Sequence, residues 1–300
     1  MTEEAEPKGT FLRYIDKRMG DASMVIVQQA LVIIQEYDAQ NLDLTLRQLY
    51  YQFVARGLLE NKQSEYNRLG TIISDGRLCG LLPWDKLVDR TRNLMGVETF
   101  TSPADVLKAA ASQYKRDLWQ EQTWRPEVWV EKEALTGVVS QICNQLRVDF
   151  FACRGYNSQS EQWRAGQRLA GYIRDGQRPI IFHLGDHDPS GIDMTRDNKE
   201  RLEMFAGTPI IVQRLGLNYN QVEELNPPPN PTKMSDSRAA GYVERFGYES
   251  WELDALDPTY IRNLIEGAVN HIRDPEVWGR SLSREVAEKD RLQTLAKEWA

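Results

Sequence analysis

The apolar run Pro179-Ile180-Ile181-Phe182 passes directly into the string HLGDHDPSGI at 183–192, and this junction constrains the chain more than any other feature. The run has the length and composition of a buried strand, and residues 190–205 can form a helix. Asp186 and Asp188 therefore fall at the carboxyl end of a strand, two residues apart. Strand side chains alternate, so both carboxylates can face one way. In open α/β sheets, ligands bind in the crevice beyond the carboxyl ends of parallel strands. Two carboxylates aimed there, with Gly191 allowing a tight turn, suit a hard divalent cation such as Mg²⁺.

A calcium loop is the sharpest rival. With Asp186 as position 1, residues Asp188, Ser190, Gly191 and Asp197 fall at positions 3, 5, 6 and 12. Against it stand Asp193 at position 8, Asp in place of Glu at position 12, and a strand rather than a helix upstream. A solvated acidic turn is the other plain reading.

A second junction adds a third acid. Pro126-Glu127-Val128-Trp129-Val130-Glu131 alternates and is rich in strand formers, and it runs into apolar positions at helical spacing through Leu146. Residues 148–153 read as another strand, ending at Arg154-Gly155, with a helix from about 158. The region 126–206 thus alternates β-α-β-α-β-α, the pattern of a parallel sheet covered by helices. Acids at two strand tips can converge in space. The ordinary alternative for Glu131 is an ion pair with Lys132 or Arg154.

These strings carry a family resemblance. VWVEKEAL, then CRGYNS, then LGDHDPSG resembles a TOPRIM domain, and DPSGIDM is most similar to the topoisomerase VI catalytic subunit and the meiotic double-strand-break proteins. The resemblance implies that Glu131, Asp186 and Asp188 hold Mg²⁺ (or Mn²⁺) where DNA is cleaved, with Asp193 a weaker candidate.

The first hundred residues read as helical. Residues 1–20 form a polar tail, a buried helix starts at Ser23, and Asp43 or Thr45 caps a helix over 46–56 that Gly57 closes. A third helix spans about 64–78, followed by a strand-like segment at 84–92. Together they resemble a winged helix-turn-helix domain with 64–78 as its recognition helix. RQLYY at 47–51 is similar to the RDxYY string of the same topoisomerase family, with Gln48 where that family has Asp. The resemblance makes Tyr51 the nucleophile and Arg47 its support. Core packing of Tyr50 and Tyr51 is the alternative. Winged-helix TOPRIM relatives such as the nuclease subunit of plasmid-defence systems resemble hydrolytic enzymes, in which water would attack.

The expected fold class is α/β: an all-α winged-helix domain at 21–100, a connecting helix at 101–125, and a TOPRIM-like parallel-sheet domain with helices on both faces at 126–300. Pro209-Ile210-Ile211-Val212 is expected as a fourth strand, and 283–299 as a charged amphipathic helix. Glu252 and Asp254, in an acid-containing segment downstream of the DxDxxG string, are candidate metal or supporting groups. Arg68, Arg77 and Arg154 are the expected DNA contacts.

A net charge of −7 argues against a purely electrostatic nucleic-acid binder, although Arg and Lys are frequent before residue 93. Three cysteines without a CxxC spacing point to a reducing, cytoplasmic setting and no zinc site. No apolar run is long enough to span a membrane. The expected function is metal-dependent DNA strand cleavage by a nuclease or topoisomerase-like enzyme. The resemblance implies a homodimer, because in the related topoisomerases one protomer's tyrosine meets the other's metal. It also raises an ATPase partner subunit, since the chain has no GxxxxGK[ST] phosphate loop. A non-catalytic DNA-binding regulator is the alternative from another class, and a primase-type polymerase fits less well.

Overall fold

Three helices open the chain, of which a computed structural model describes residues 10–40, 42–88, 99–152 and 159–298. Helix α1 (Asp21–Asp38) buries Ile26, Val27, Ala30, Ile33, Ile34 and Tyr37, which recur three or four residues apart along one face. Helix α2 (Leu46–Ala55) starts at Thr45, whose hydroxyl accepts the Gln48 amide while the Gln48 side chain reaches back to the Thr45 amide. Gly57, at φ +66°, ends this segment in the left-handed region. Helix α3 (Gln63–Leu78) closes the group over a core containing Leu49, Phe53, Leu69 and Leu82. In the described part of the expected strand at 84–92, Leu87 makes one isolated bridge with Leu44 and no strand forms. Residues 89–92 lie outside the described residues.

Ser102 caps helix α4 (Pro103–Gln113), with Pro103 in its first turn. The alternating segment that follows becomes strand β1 (Trp124–Val130), and then come helix α5 (Thr136–Leu146), strand β2 (Asp149–Ala152), helix α6 (Gln159–Arg174), strand β3 (Arg178–Leu184), helix α7 (Pro189–Ala206) and strand β4 (Ile211–Gly216). β4 begins two residues later than expected, since Pro209 has no N–H to give a ladder. The strands form one parallel sheet in the order β2-β1-β3-β4.

Alternation along β1 and β3 explains the two covered faces. Val128, Val130, Ile180 and Phe182 pack with α5 and helix α10 (Pro258–Ile272). Trp129 and Ile181 point the other way, onto Ala165 and Leu169 of α6 and Leu202 of α7. The chain leaves β1 for β2 on one side, then returns past β1 to reach β3. The strand order therefore reverses between β1 and β3, and a crevice opens at the carboxyl ends of those two strands.

Between β4 and α10 lie helix α8 (Tyr219–Leu225), strand β5 (Asn230–Pro231), helix α9 (Ala239–Phe246) and strand β6 (Glu249–Ser250), with β5 and β6 paired antiparallel. The last helix, α11 (Pro275–Glu298), starts earlier than expected and packs along α4. There Tyr114 donates to Glu288 at 2.5 Å and Arg116 donates to the same carboxylate at 3.1 Å. The 101–122 stretch is thus half of a helix pair as well as a connection. Among the described residues, no helix is long and apolar enough to cross a membrane.

Candidate active site

Glu131 and Asp186 meet at the strand reversal. Glu131 is the first residue beyond β1, and its amide extends the ladder to the Leu184 carbonyl at 2.8 Å. Its carboxylate accepts the Asp186 amide at 3.0 Å. Burial, with Asp186 and Asp188 nearby, pushes the Glu131 carboxyl up to about 7.

Strand alternation does not bring Asp186 and Asp188 side by side. β3 ends at Leu184, Gly185 still exchanges backbone hydrogen bonds with Gly216 and Leu217 at the end of β4, and residues 186–188 then leave the sheet to meet a distant segment. His187 and Trp251 exchange backbone hydrogen bonds of 2.8 and 3.0 Å. That bridge aims the Asp186 carboxylate at the amide of Leu253, which donates to it at 2.8 Å. Asp188 caps α7 instead, accepting the Gly191 amide at 2.6 Å and the Ser190 hydroxyl at 3.0 Å. The His187 ring turns away, as alternation suggested, into a cluster of Tyr219, Tyr242, Phe246 and Trp251.

The bridge also delivers Glu252 and Asp254, so an acid cluster forms from segments some 120 residues apart. Lys132 lies in its midst. Its ammonium is 2.9 Å from Asp186, 3.3 Å from Glu252 and 3.8 Å from Asp254. Burial alone would lower the Lys132 pKa, but the three carboxylates outweigh it and hold the ammonium protonated. Burial raises Asp186, and it raises Asp254 to about 6. Glu252 goes the other way: Lys132 and Arg47 overcome its burial and pull it down to about 2.

Helix α2 closes the cluster from above. Arg47 pairs with Glu252, and its Nε lies 3.0 Å from Asp254. Tyr51 is 4% exposed; it donates to Glu252 at 3.0 Å and accepts from Arg47 at 3.4 Å. Burial and the two carboxylates raise the Tyr51 pKa, against a smaller opposing pull from Arg47. Tyr50 packs into the helical core and donates to backbone carbonyls at Glu60 and Lys62. Tyr51 thus meets the acids of its own chain.

Arg214, on β4, holds the turn together from below. Its guanidinium donates to the carbonyls of Gly185, Asp186 and Gly191 at 2.9, 2.6 and 2.8 Å. Burial lowers its pKa to about 10 despite the surrounding acids. Gly191 is required by close approach rather than by a tight turn: a Cβ there would lie 2.3 Å from the Asp186 carbonyl oxygen.

The other expected residues lie elsewhere or do other work. The Arg77 guanidinium stacks 4.5 Å over Trp84 and donates to its carbonyl, so it ties α3 to the following loop. Arg68 is half exposed and pairs with Glu65 at 2.9 Å. Asp193 faces Arg196 and Arg238 on the flank of α7. Arg154 lies outside the described residues, and so does the RG strand end.

The donors offered to a metal here are hard oxygens. Asp254, 1% exposed, accepts no hydrogen bond at either carboxylate oxygen, as expected of a group facing a cation. As the side chains stand, no three His, Cys, Asp or Glu among the described residues converge into a ready cage. Asp188 is engaged as a helix cap, and the Lys132 ammonium sits where a divalent ion would neutralise Asp186 and Asp254.

Sequence reasoning overlooked Lys132 as the hub of the cluster and Arg214 as its brace. An adjacent Lys at 132 and a lone Arg in an edge strand give no spacing signal. Comparisons with protein-family models, curated proteins and solved structures find no match.

Proposed function

We propose that this chain is a divalent-metal-dependent DNA strand-cleaving enzyme of the TOPRIM type, with a winged-helix-like helical unit before it. One observation carries the reading: Glu131 and Asp186 sit at the strand reversal of a parallel sheet, and Asp254, Glu252, Arg47 and Tyr51 converge on the same point. Oxygen donors for Mg²⁺ or Mn²⁺ come from Asp186, Asp254 and Glu131, with Asp188 alongside. When bound, the ion supplies charge neutralisation at the scissile phosphate and its leaving oxygen.

The residues around it have separable roles. Arg47, freed from Glu252, offers a two-pronged grip on a phosphate. Lys132 keeps the acids compatible with folding before metal and substrate arrive. The burial of Tyr51 favours water over the phenol as nucleophile. A phosphate reaches the Tyr51 oxygen only if the contact between α2 and 252–254 opens.

The test is supercoiled plasmid with Mg²⁺ or Mn²⁺, stopped with detergent and resolved with and without protease. Hydrolysis predicts protein-free cut DNA, lost in Asp186→Asn and Asp254→Asn and retained in Tyr51→Phe. Cut DNA that stays protein-bound until proteolysis would make Tyr51 the nucleophile instead. No cutting with either metal would overturn the reading.

A further inference from the structure

Next to the acid cluster is a cavity of about 240 Å³ that the cleavage reading does not use. It lies between α2, the start of α3 and β5, and it shares Arg47, Tyr51 and Glu252 with the cluster. Three tyrosines line part of a mainly polar wall. Tyr66 meets Tyr50 edge to face at 5.4 Å, and Tyr50 meets Tyr51 at 5.6 Å, so three rings run from the acids outward. Its rim is polar. Asn61 is fixed by a 3.2 Å hydrogen bond to Asn230, which ties the rim to the far loop. Arg47 provides a cation at the inner end and Lys62 another at the outer end, each beside a glutamate.

Rings, a fixed amide and cations in that order match the parts of one nucleotide. A nucleobase offers a π-face to tyrosine and a polar edge to an amide, and its phosphate meets arginine. The cavity has room for one base and not for a base pair. A base inside a duplex is stacked and paired, so it reaches such a pocket only after leaving the helix.

We infer that this cavity binds one unpaired nucleobase of the strand whose phosphate lies at the acid cluster, so that single-stranded, gapped or frayed DNA is the preferred substrate. The inference rests on the DNA-cleavage reading for its choice of ligand. The walls are preformed: Tyr50 is anchored through its hydroxyl, which accepts the Lys62 amide at 2.8 Å, and this leaves Tyr66 and Asn61 as the residues that meet the base.

The test is fluorescence anisotropy of the full chain with labelled 12-mers in a chelator, where cleavage cannot contribute. The probes are a single strand, the same strand abasic at its four central positions, and the blunt duplex. The single strand should bind about tenfold more tightly than either of the others, the scale expected for one stacked base. Tyr66→Ala should lose about the same factor for the intact strand and nothing for the abasic strand, and Tyr66→Phe should retain full affinity. Equal binding of intact and abasic strands to the unmodified protein would overturn the pocket, whatever the variants do. Oligonucleotide binding with base dependence but no plasmid cleavage would sink the cleavage reading and leave the pocket standing. Cleavage without base dependence would do the reverse.

Discussion

Replacing Lys132 with Met removes the cation from the middle of the acid cluster while keeping most of its stem. The loss falls mainly on Asp186, because Arg47 still covers Glu252 and Asp254. At 2.9 Å, with an effective dielectric constant near 20, the bare attraction is about 6 kcal/mol. Much of that is offset because Lys132 no longer has to be dehydrated, and removing one partner of a buried pair typically costs about 3–5 kcal/mol. We therefore expect Lys132→Met to lose about 3 kcal/mol at pH 8, at the low end of that range because Asp186 keeps the Leu253 amide. Burial already raises Asp186, so without Lys132 it takes up a proton more readily, and the loss should shrink at pH 5. Urea titrations of both proteins at the two pH values measure this directly. Millimolar Mg²⁺ at pH 8 should restore stability to the variant more than to the parent, since a divalent ion can replace the missing charge. A variant as stable as the parent at pH 8, or a loss identical at both pH values, would refute the electrostatic account of the cluster.

Other substitutions probe the same frame. Glu131→Gln should gain stability relative to the parent as pH rises from 5 to 8. The parent's carboxyl is raised to about 7 by burial, so the stability tied to its proton is complete below about pH 4 and lost as pH passes 7. Urea titration should show a gain of about 3 kcal/mol at pH 8 and less than about 1 kcal/mol at pH 5. Comparing variant with parent cancels His183 and His187, whose buried neutral rings, lowered to about 3 and about 4, push stability the opposite way below pH 6.5. Gly191→Ala should cost at least about 3 kcal/mol, because a Cβ 2.3 Å from the Asp186 carbonyl forces the start of α7 away from the strand; thermal melting reads the loss. Arg214→Met should leave the carbonyls of Gly185, Asp186 and Gly191 without their charged donor, at a cost of about 3 kcal/mol. Hydrogen exchange should then speed up first at the Asp186 and Gly191 amides, and unchanged exchange there would remove Arg214 from its role as brace.

The parts of the fold visible in sequence are those written in local patterns. Alternation at 127–130 and the apolar run at 179–182 locate β1 and β3, and the Thr45–Gln48 reciprocal cap places α2 within a residue. Glu131 was legible because it follows its strand directly, and Asp186 because only Gly185 separates it from its own. What stayed hidden depends on contacts between remote segments. Glu252 and Asp254 stand in the sequence as candidate metal or supporting groups, but no local pattern says what they meet, and only the His187–Trp251 bridge puts them beside Asp186. The alternation argument that placed Asp188 beside Asp186 does not carry that far: the chain leaves the sheet after Gly185, and Asp188 caps α7 while staying near both acids. The stacking of Arg77 over Trp84 was not written in any local pattern either.

The contact between α2 and residues 252–254 also sets a timetable for biosynthesis. Tyr51 waits for Glu252, made 201 residues later, and Tyr37 waits for Asp257, 220 residues later. Contacts so far apart in the chain form slowly, after local helices and hairpins. A ribosome that has released only the first two hundred or so residues has therefore made Arg47 without its acids and Asp186 without its amide from Leu253. On this route, a nascent chain stalled before residue 252 emerges carries no assembled centre, and the proposed strand-cleaving capacity would appear only once residues 252–254 have left the ribosome.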